Sequence, residues 1–292
     1  MLELISRNRK VYTRDRLAFF MSFLSVIILI LVYQVFLGQI QIDAIKEGLH
    51  SDTASTDTIQ MVNYWLISGL TTIISMTSTL GAFGVMVSDR EKKLSEDLKV
   101  SPVSNFKIEL SYAIFAILFG IIMTLFSCIF AIGMFNGFSA LLDYSMMDYL
   151  SILGVITMGT MLSATIILPI LAFIRTSSAF TTLSTIVGTF IGFISGVYLS
   201  IGSVGGSLQQ VMTWFPLTQV NALLKQILMK DAINKVFDKA PTSIVTNYKE
   251  SYGIILKNTS GEHLSSQSMF AYIFIIIVVL LGVDLMIKKI KK

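Results

Sequence analysis

The densest group of ionisable residues in the sequence is the stretch "DREKKLSEDLKVSPVS", which runs from Asp89 to Ser104. Its four acids and four bases are interspersed, and it contains neither histidine nor cysteine. Mixed charges of this kind form ion pairs with a partner surface and set the register of an interface. The stretch therefore predicts a contact site and not a catalytic centre.

The spacing within this stretch predicts a short helix over residues 88–102. Ser88 and Glu91 have the spacing of a capping box, in which two side chains satisfy the free amides at the start of a helix. Asp89 and Lys93 are four residues apart and would pair on one helix face. A capped helix has more order than a simple linker needs.

Two leucines, Leu94 and Leu98, would form a narrow apolar ridge on this helix. Pro102 would end it, and Ser101 with Pro102 would start the next helix. A ridge with mixed charges around it fits a groove on another protein. The alternative is a solvated loop whose bases only anchor the membrane topology. The docking interpretation involves Glu91, Lys92, Lys93, Leu94, Leu98, Ser101 and Pro102.

Residues that could carry out catalysis are scarce. The only histidines are His50 and His263, and neither belongs to an H-E-x-x-H motif. The single cysteine, Cys128, lies in an apolar run and is expected to be an inert buried thiol. No G-x-x-x-x-G-K-[ST] phosphate loop occurs, so we do not expect the chain to hydrolyse ATP. We predict no metal site and no enzyme activity of its own.

The composition indicates a membrane protein. Of 292 residues, 54% are hydrophobic and 14% are charged, whereas soluble domains carry roughly 25% charged residues. Several apolar windows of about 20 residues are long enough to cross a bilayer. We predict a single all-α domain over residues 1–292 with six transmembrane helices. The predicted spans are Leu17–Leu37, Met61–Val87, Ile108–Phe135, Tyr149–Ile174, Ala179–Ile201 and Met269–Ile287.

The positions of the basic residues predict the orientation. Most of the 22 lysines and arginines lie in the N-terminal segment, the loop between spans two and three, and the C-terminal tail. The positive-inside rule places these segments in the cytoplasm, with both termini. Because the basic excess follows the topology, it does not indicate binding to nucleic acid.

The predicted span cores carry no charged residue, and Glu109 and Asp284 fall near cytoplasmic ends where they would reach water. Because charges inside a membrane usually mark ion pathways, this argues against an ion channel or an ion-driven carrier. Span two instead contains many serines and threonines, including Ser75 and Thr79. These small residues would either pack helices closely or line a pathway.

Residues 202–268 are predicted to form an outer re-entrant or interfacial hairpin and a small cap. Gly202, Gly205 and Gly206 would break the helix after the fifth span, and Pro216 would begin a second short helix. Trp214 and Phe215 suit a membrane interface. The hairpin would be either a moving outer gate, formed by Trp214, Phe215 and Pro216, or a static plug.

Three segments resemble the transmembrane subunit of a type-2 ABC exporter, a permease with six spans. They are "RNRKVYTRDRLAFF" (Arg7–Phe20), "SPVSNFKIELSYAI" (Ser101–Ile114) and "MTWFPLTQVNALLKQILM" (Met212–Met229). They are similar to the family's amphipathic interface helix, to the exit from its cytoplasmic coupling helix, and to its outer-leaflet segment. In this sequence those elements correspond to residues 1–16, 88–102 and 202–268.

The resemblance implies partners and a substrate class. A cytoplasmic ABC ATPase, which binds ATP and Mg²⁺, would dock on the coupling helix. A second copy of the permease, or a related one, would complete a path across a bacterial cell membrane. Because spans two and five border the cavity in this family, the resemblance makes Ser75, Thr79, Thr189 and Phe193 candidate path residues. The implied function is export of a hydrophobic or amphipathic substrate (drug, toxin, peptide or lipid). The alternative is a structural or regulatory membrane subunit that does not transport.

Overall fold

The computed structural model describes residues 1–32, 43, 55–94, 103–238 and 240–290. Within them the protein is all-α, apart from one antiparallel bridge between Lys257 and His263. This confirms the prediction of an all-α polytopic membrane protein. The helices are Leu2–Arg14, Arg16–Val32, Thr56–Ala82, Gly84–Glu91, Asn105–Asn136, Met146–Leu171, Ser177–Ile194, Gly206–Trp214, Pro216–Leu228, Lys230–Val236, Thr242–Ser251 and Ser266–Ile290, with short 3-10 helices at Phe138–Asp143 and Ile201–Ser203.

Five helices among the described residues are long and apolar enough to cross a membrane. We number them as spans two to six, and they are Thr56–Glu91, Asn105–Asn136, Met146–Leu171, Ser177–Ile194 and Ser266–Ile290. The helices Leu2–Arg14 and Phe19–Val32 meet the same criteria only as a pair bent by 81°. We call Leu2–Arg14 the interface helix and Arg16–Val32 span one. The part of the predicted first span beyond Val32 lies outside the described residues.

Span two is the most deeply buried of these helices, with 78% of its apolar window inside the protein. Its hydroxyl groups are satisfied within the helix, which allows them to be buried among apolar side chains. The hydroxyl of Thr79 donates to the carbonyl of Ser75 at 2.6 Å, and that of Ser75 donates to the carbonyl of Thr72 at 2.8 Å. Small side chains of this kind let neighbouring spans approach closely.

Gly120 of span three lies where spans two and four approach span three closely. We expect this contact to be sensitive to mutation. A Cβ atom at this position would collide with the Thr79 hydroxyl and lie 3.3 Å from Cγ2 of Thr160. We expect Gly120→Leu to destabilise the protein by about 1–3 kcal/mol, because the added side chain overpacks the contact between three spans. Thermal unfolding of the detergent-solubilised protein would measure this loss.

Gly154 of span four provides the control, because nothing lies within 4 Å of a Cβ atom added there. The Gly154→Leu variant should unfold at about the wild-type temperature. If Gly120→Leu also unfolded at that temperature, the close packing at Gly120 would be refuted.

Span five ends earlier than the sequence predicts. The predicted span reached Ile201, with the break at Gly202, but the helix ends at Ile194. Gly196 has a φ of +66°, and the amides of Val197 and Tyr198 both bond to the carbonyl of Gly192. This is a glycine-based helix end, in which the left-handed residue is almost free of steric cost. The prediction that Gly202 breaks the span is therefore wrong.

Two helices, Gly206–Trp214 and Pro216–Leu228, follow span five, and we call them the hairpin. Pro216 is the first residue of the second hairpin helix, as predicted. That helix packs against spans two, four and six, with Leu217 and Leu223 buried. The helices Lys230–Val236 and Thr242–Ser251 and the bridge after them form a small unit that we call the cap.

Candidate functional site

The two ends of the bundle differ in chemistry. The interface helix meets the last residues of span two and the first residues of span three at one end, which we call the basic end. The hairpin and cap lie at the other end, which we call the hairpin end. At the basic end, three consecutive residues of span two, Asp89, Arg90 and Glu91, each bond to a different part of the protein. We call them the charged triplet.

Asp89 joins span two to the interface helix and to span three. Its carboxylate is buried, with 3% of the residue exposed. Arg7 donates to it through Nη2 at 3.0 Å, and the Tyr112 hydroxyl donates at 2.6 Å. The bond to Asp89 raises the pKa of Arg7. Next to this group, Asn8 donates to the hydroxyl of Ser111 at 3.2 Å, which adds a second link between the interface helix and span three.

Arg90 joins span two to spans three and four, and it is linked to span six through Glu109. Its Nη1 atom donates to the carbonyl of Leu171, at the end of span four, at 2.6 Å. Its Nη2 atom lies 3.8 Å from Glu109 of span three, which pairs with Lys288 of span six at 2.7 Å. Lys288 also pairs with Asp284 at 2.6 Å. Asp284 was expected to reach water, but it is buried beside Lys288.

Glu91 joins span two to span five, because its carboxylate accepts a hydrogen bond from Ser177, the first residue of span five. The helix ends here, since Lys92 is its C-cap and Lys93 has a φ of +61°. Lys92, Lys93 and Leu94 are all exposed. The described docking residues after Glu91, which are Lys92, Lys93 and Leu94, therefore lie on the surface directly after the charged triplet.

Two details predicted for this segment are wrong. Ser88 lies inside the helix Gly84–Glu91, so Ser88 and Glu91 do not form a capping box at a helix start. Asp89 does not pair with Lys93 along a helix face, because the helix ends before Lys93 and the carboxylate is used by residues of two other helices. Three further predicted docking residues lie outside the described residues, namely Leu98, Ser101 and Pro102.

The four candidate path residues fall into two groups. Ser75 and Thr79 are buried inside the bundle, with exposures of 2% and 0%, and they lie in contacts between spans. Thr189 and Phe193 lie on the exposed surface of span five. The structure thus places the span two pair in helix packing and leaves the span five pair accessible.

The predicted outer gate residues line one groove at the hairpin end. An open groove of about 520 Å³ is bordered by Trp214, Phe215 and Pro216 together with residues of the first hairpin helix. The hydroxyl of Tyr272, from span six, donates to the carbonyl of Trp214 at 2.7 Å, and the two rings are 5.6 Å apart. The groove therefore lies beside a contact between the hairpin and span six.

The sequence matches the family described as ABC-2 family transporter protein over residues 34–283, which covers spans two to five, the hairpin, the cap and most of span six. The chain belongs to the ABC-2 transporter family. Proteins of this family are permease components of ABC transporters, and they work with a partner ATPase. No match to the chain was found among curated proteins.

This ABC-2 permease carries a buried polar row that our sequence interpretation missed. Thr218, Asn221 and Lys225 of the second hairpin helix are each 1% exposed. Lys225 donates to the carbonyl of Tyr252 at 2.9 Å and lies 5.0 Å from the centre of the Trp65 ring. The available signal was the spacing of Thr218, Asn221 and Lys225 by three and four residues, which places all three on one face of the helix.

The described residues of this ABC-2 permease contain no candidate metal site. Among those residues, no three or more histidine, cysteine, aspartate or glutamate side chains are placed to hold a metal ion. Cys128 is buried in span three.

Proposed function

We propose that this ABC-2 permease is the membrane subunit of an ATP-driven exporter that moves a hydrophobic or amphipathic substrate (drug, toxin, peptide or lipid) out of the cell. A separate ABC ATPase, which binds ATP and Mg²⁺, docks at the basic end. That end faces the cytoplasm, in agreement with the positive-inside rule. The observation that carries the proposal is that the exposed segment Lys92–Leu94 follows directly on the charged triplet.

The charged triplet explains how a force at the docking segment reaches the rest of the bundle. Its residues together bond to the interface helix and to spans three, four and five, so the end of span two cannot shift without disturbing its neighbours. Transitions of this kind are rigid-body movements carried through packed and hydrogen-bonded contacts. The partner ATPase would therefore act on several spans through one short segment.

The surface of span five supports pairing of two permease subunits. Only 11% of its apolar window is buried, so most of this helix is exposed or half-buried in a single subunit. Its exposed side includes several hydroxyl side chains, which favour contact with another helix over contact with lipid. These are Thr181, Thr182, Thr185 and Thr189.

Span six is also open, with 17% of its window buried, and it exposes large apolar side chains that suit lipid tails without the row of threonines found on span five. These include Phe274, Ile275, Val278 and Val279. We therefore assign lipid to the surface of span six, and the second subunit and the central path to the surface of span five.

The substrate class follows from the side chains on span five. Thr189 and Phe193 offer an oxygen and an aromatic ring on the same exposed helix, which contains no charged residue. A surface of this composition suits a substrate with both apolar and polar parts. It provides no charged partner for a bare ion, which would need one inside a membrane.

Reversing the two exposed bases of the docking segment tests the proposal. We expect the double variant Lys92→Glu, Lys93→Glu to bind its ATPase partner at least about tenfold more weakly, because like charges across an interface cost several kcal/mol. The measurement is co-purification of the ATPase in detergent, followed by ATP hydrolysis of the recovered complex.

The exposed lysine Lys235, in the cap, provides a matched control at the hairpin end. Lys235→Glu should leave the complex and its ATP hydrolysis unchanged. If no ATPase co-purified with the wild-type protein, a structural or regulatory role without transport would replace this proposal. If the Lys92, Lys93 variant kept the full amount of ATPase, the assigned docking segment would be wrong.

A further inference from the structure

The end of span five is bonded to the hairpin through three consecutive carbonyl groups, those of residues 194–196. Thr218 donates to the first of them at 3.1 Å, Asn221 to the second at 3.0 Å and Lys225 to the third at 3.5 Å. The last carbonyls of a helix have no partner within the helix. In this protein, side chains of another helix supply those partners. We call this set of three bonds the carbonyl latch.

The geometry of the carbonyl latch is regular. Its donors are spaced by three and four residues and therefore share one face of the second hairpin helix. All three donors are buried, so their polar groups would be costly to separate from the carbonyls without water to replace them.

The opposite end of span five is held at the docking site. Ser177 bonds to Glu91 of the charged triplet, and the ring of Phe180 packs on Gly84, where an added Cβ atom would lie 3.4 Å from it. Between these two ends span five is sparsely packed, and its main helix contact is with span two. Side chains of other helices therefore bond to both ends of span five.

We propose that Thr218, Asn221 and Lys225 are positioning residues for transport, because the carbonyl latch makes the hairpin move with span five. A displacement of the docking segment at Glu91 then reaches the hairpin through span five. The contact that changes is the one between the hairpin and span six, where Tyr272 bonds to the carbonyl of Trp214. This inference rests on the proposed function, since it describes how a movement driven by the ATPase reaches the opposite end of the bundle.

Distances between spin labels can test whether the hairpin follows span five. The labels are placed on cysteines introduced at three exposed positions, namely Ile186 of span five, Leu208 of the hairpin and Phe274 of span six. The Ile186–Leu208 distance reports the contact between span five and the hairpin. The Leu208–Phe274 distance reports the contact between the hairpin and span six. The native Cys128 is buried, and labelled protein is diluted with unlabelled protein so that distances within one subunit are measured. With ATP and vanadate bound to the complex, we expect the Leu208–Phe274 distance to change and the Ile186–Leu208 distance to stay the same.

Two buried amides of the second hairpin helix provide a matched pair of variants. Asn221 belongs to the carbonyl latch, whereas Gln219 donates to the carbonyl of Thr213 within the hairpin, at 3.3 Å. Both residues are 1% exposed. In the absence of nucleotide, Asn221→Leu should widen the distribution of the Ile186–Leu208 distance, and Gln219→Leu should leave it narrow. If Asn221→Leu does not fold, Thr218→Val removes one donor with little change in size and should also widen it.

The outcomes separate this inference from the proposed function. The inference is overturned if nucleotide changes the Ile186–Leu208 distance in the wild-type complex, or if Asn221→Leu and Gln219→Leu give equally narrow distributions. The inference is also overturned if the ATPase binds but nucleotide leaves the Leu208–Phe274 distance unchanged. If the ATPase does not bind, the proposed function fails. The nucleotide-free comparison of Asn221→Leu with Gln219→Leu still decides whether the carbonyl latch holds the hairpin to span five.

Discussion

The Asp89→Asn variant should be less stable than the wild-type protein by about 2–3 kcal/mol and should lose ATP-coupled transport. Breaking a buried ion pair by removing one charge usually costs about 3–5 kcal/mol, and we expect a smaller loss here because the side chain of Arg7 is 31% exposed. Without the carboxylate, Arg7 is unpaired and Tyr112 loses a charged acceptor. Thermal unfolding in detergent would measure the stability, and ATP hydrolysis by the complex with its ATPase would measure the coupling.

The controls for Asp89 separate charge from position. Glu3, an exposed acid of the interface helix, should tolerate Glu3→Gln without loss. The double variant Arg7→Met, Asp89→Leu leaves no charge unpaired, so it should recover most of the stability. An Asp89→Asn protein that unfolds at the wild-type temperature would show that this ion pair does not hold the interface helix to span two.

Raising the pH from 7 to 9 should stabilise the protein by up to roughly 2 kcal/mol through Lys225 alone. Burial lowers the pKa of this amine to about 7 from its ordinary value of 10.5. Between these two values the unfolded chain binds more protons than the folded one, so stability rises with pH throughout the interval. Tyr252, whose carbonyl accepts a bond from Lys225, has its own pKa raised by burial and stays neutral in this range. Thermal unfolding at a series of pH values would measure the effect.

Two lysine variants identify the source of this pH dependence. Lys225→Met should flatten the rise between pH 7 and pH 9, because it removes the buried amine. Lys235→Met, at an exposed lysine of the cap, should leave the rise unchanged. If the slope were the same in both variants, titration of Lys225 would not be its cause.

The sequence was sufficient for those features that depend on local pattern. Apolar windows predicted the membrane helices, since the cost of placing polar backbone in lipid leaves few alternatives to a helix. Pro216 predicted the start of the second hairpin helix because a proline at the first helical position loses no hydrogen bond. The charge pattern after span two predicted a docking helix; its described residues Glu91 to Leu94 are exposed, and the docking itself stays a prediction.

The wrong predictions share one physical cause, which is that similar local patterns occur in different tertiary settings. The spacing of Ser88 and Glu91 fits the interior of a helix as well as its start, and only the path of the preceding residues distinguishes the two. Gly196 and Gly202 are both glycines near the end of span five, but a positive φ at Gly196 cannot be read from residue type.

The sequence pattern also could not predict contacts between residues that are far apart in the chain. Arg7 and Asp89 are 82 positions apart, so no local rule pairs them. Lys225 lies in an amphipathic helix, where a lysine would ordinarily be assigned to a solvated face. Its burial follows from the insertion of that helix among spans two, four and six.

If the substrate path runs along span five, as we propose, its threonines have a consequence for selectivity. Thr181, Thr185 and Thr189 each give their hydroxyl hydrogen to the carbonyl four residues earlier, at 3.0, 3.1 and 2.9 Å. The outward side of these groups therefore presents methyl carbons and oxygen lone pairs, with no hydrogen left to donate. An amine or an alcohol can bond to such oxygens as it passes, whereas a carboxylate or a phosphate finds nothing there to accept. We expect this helix to favour cationic and neutral molecules over acids.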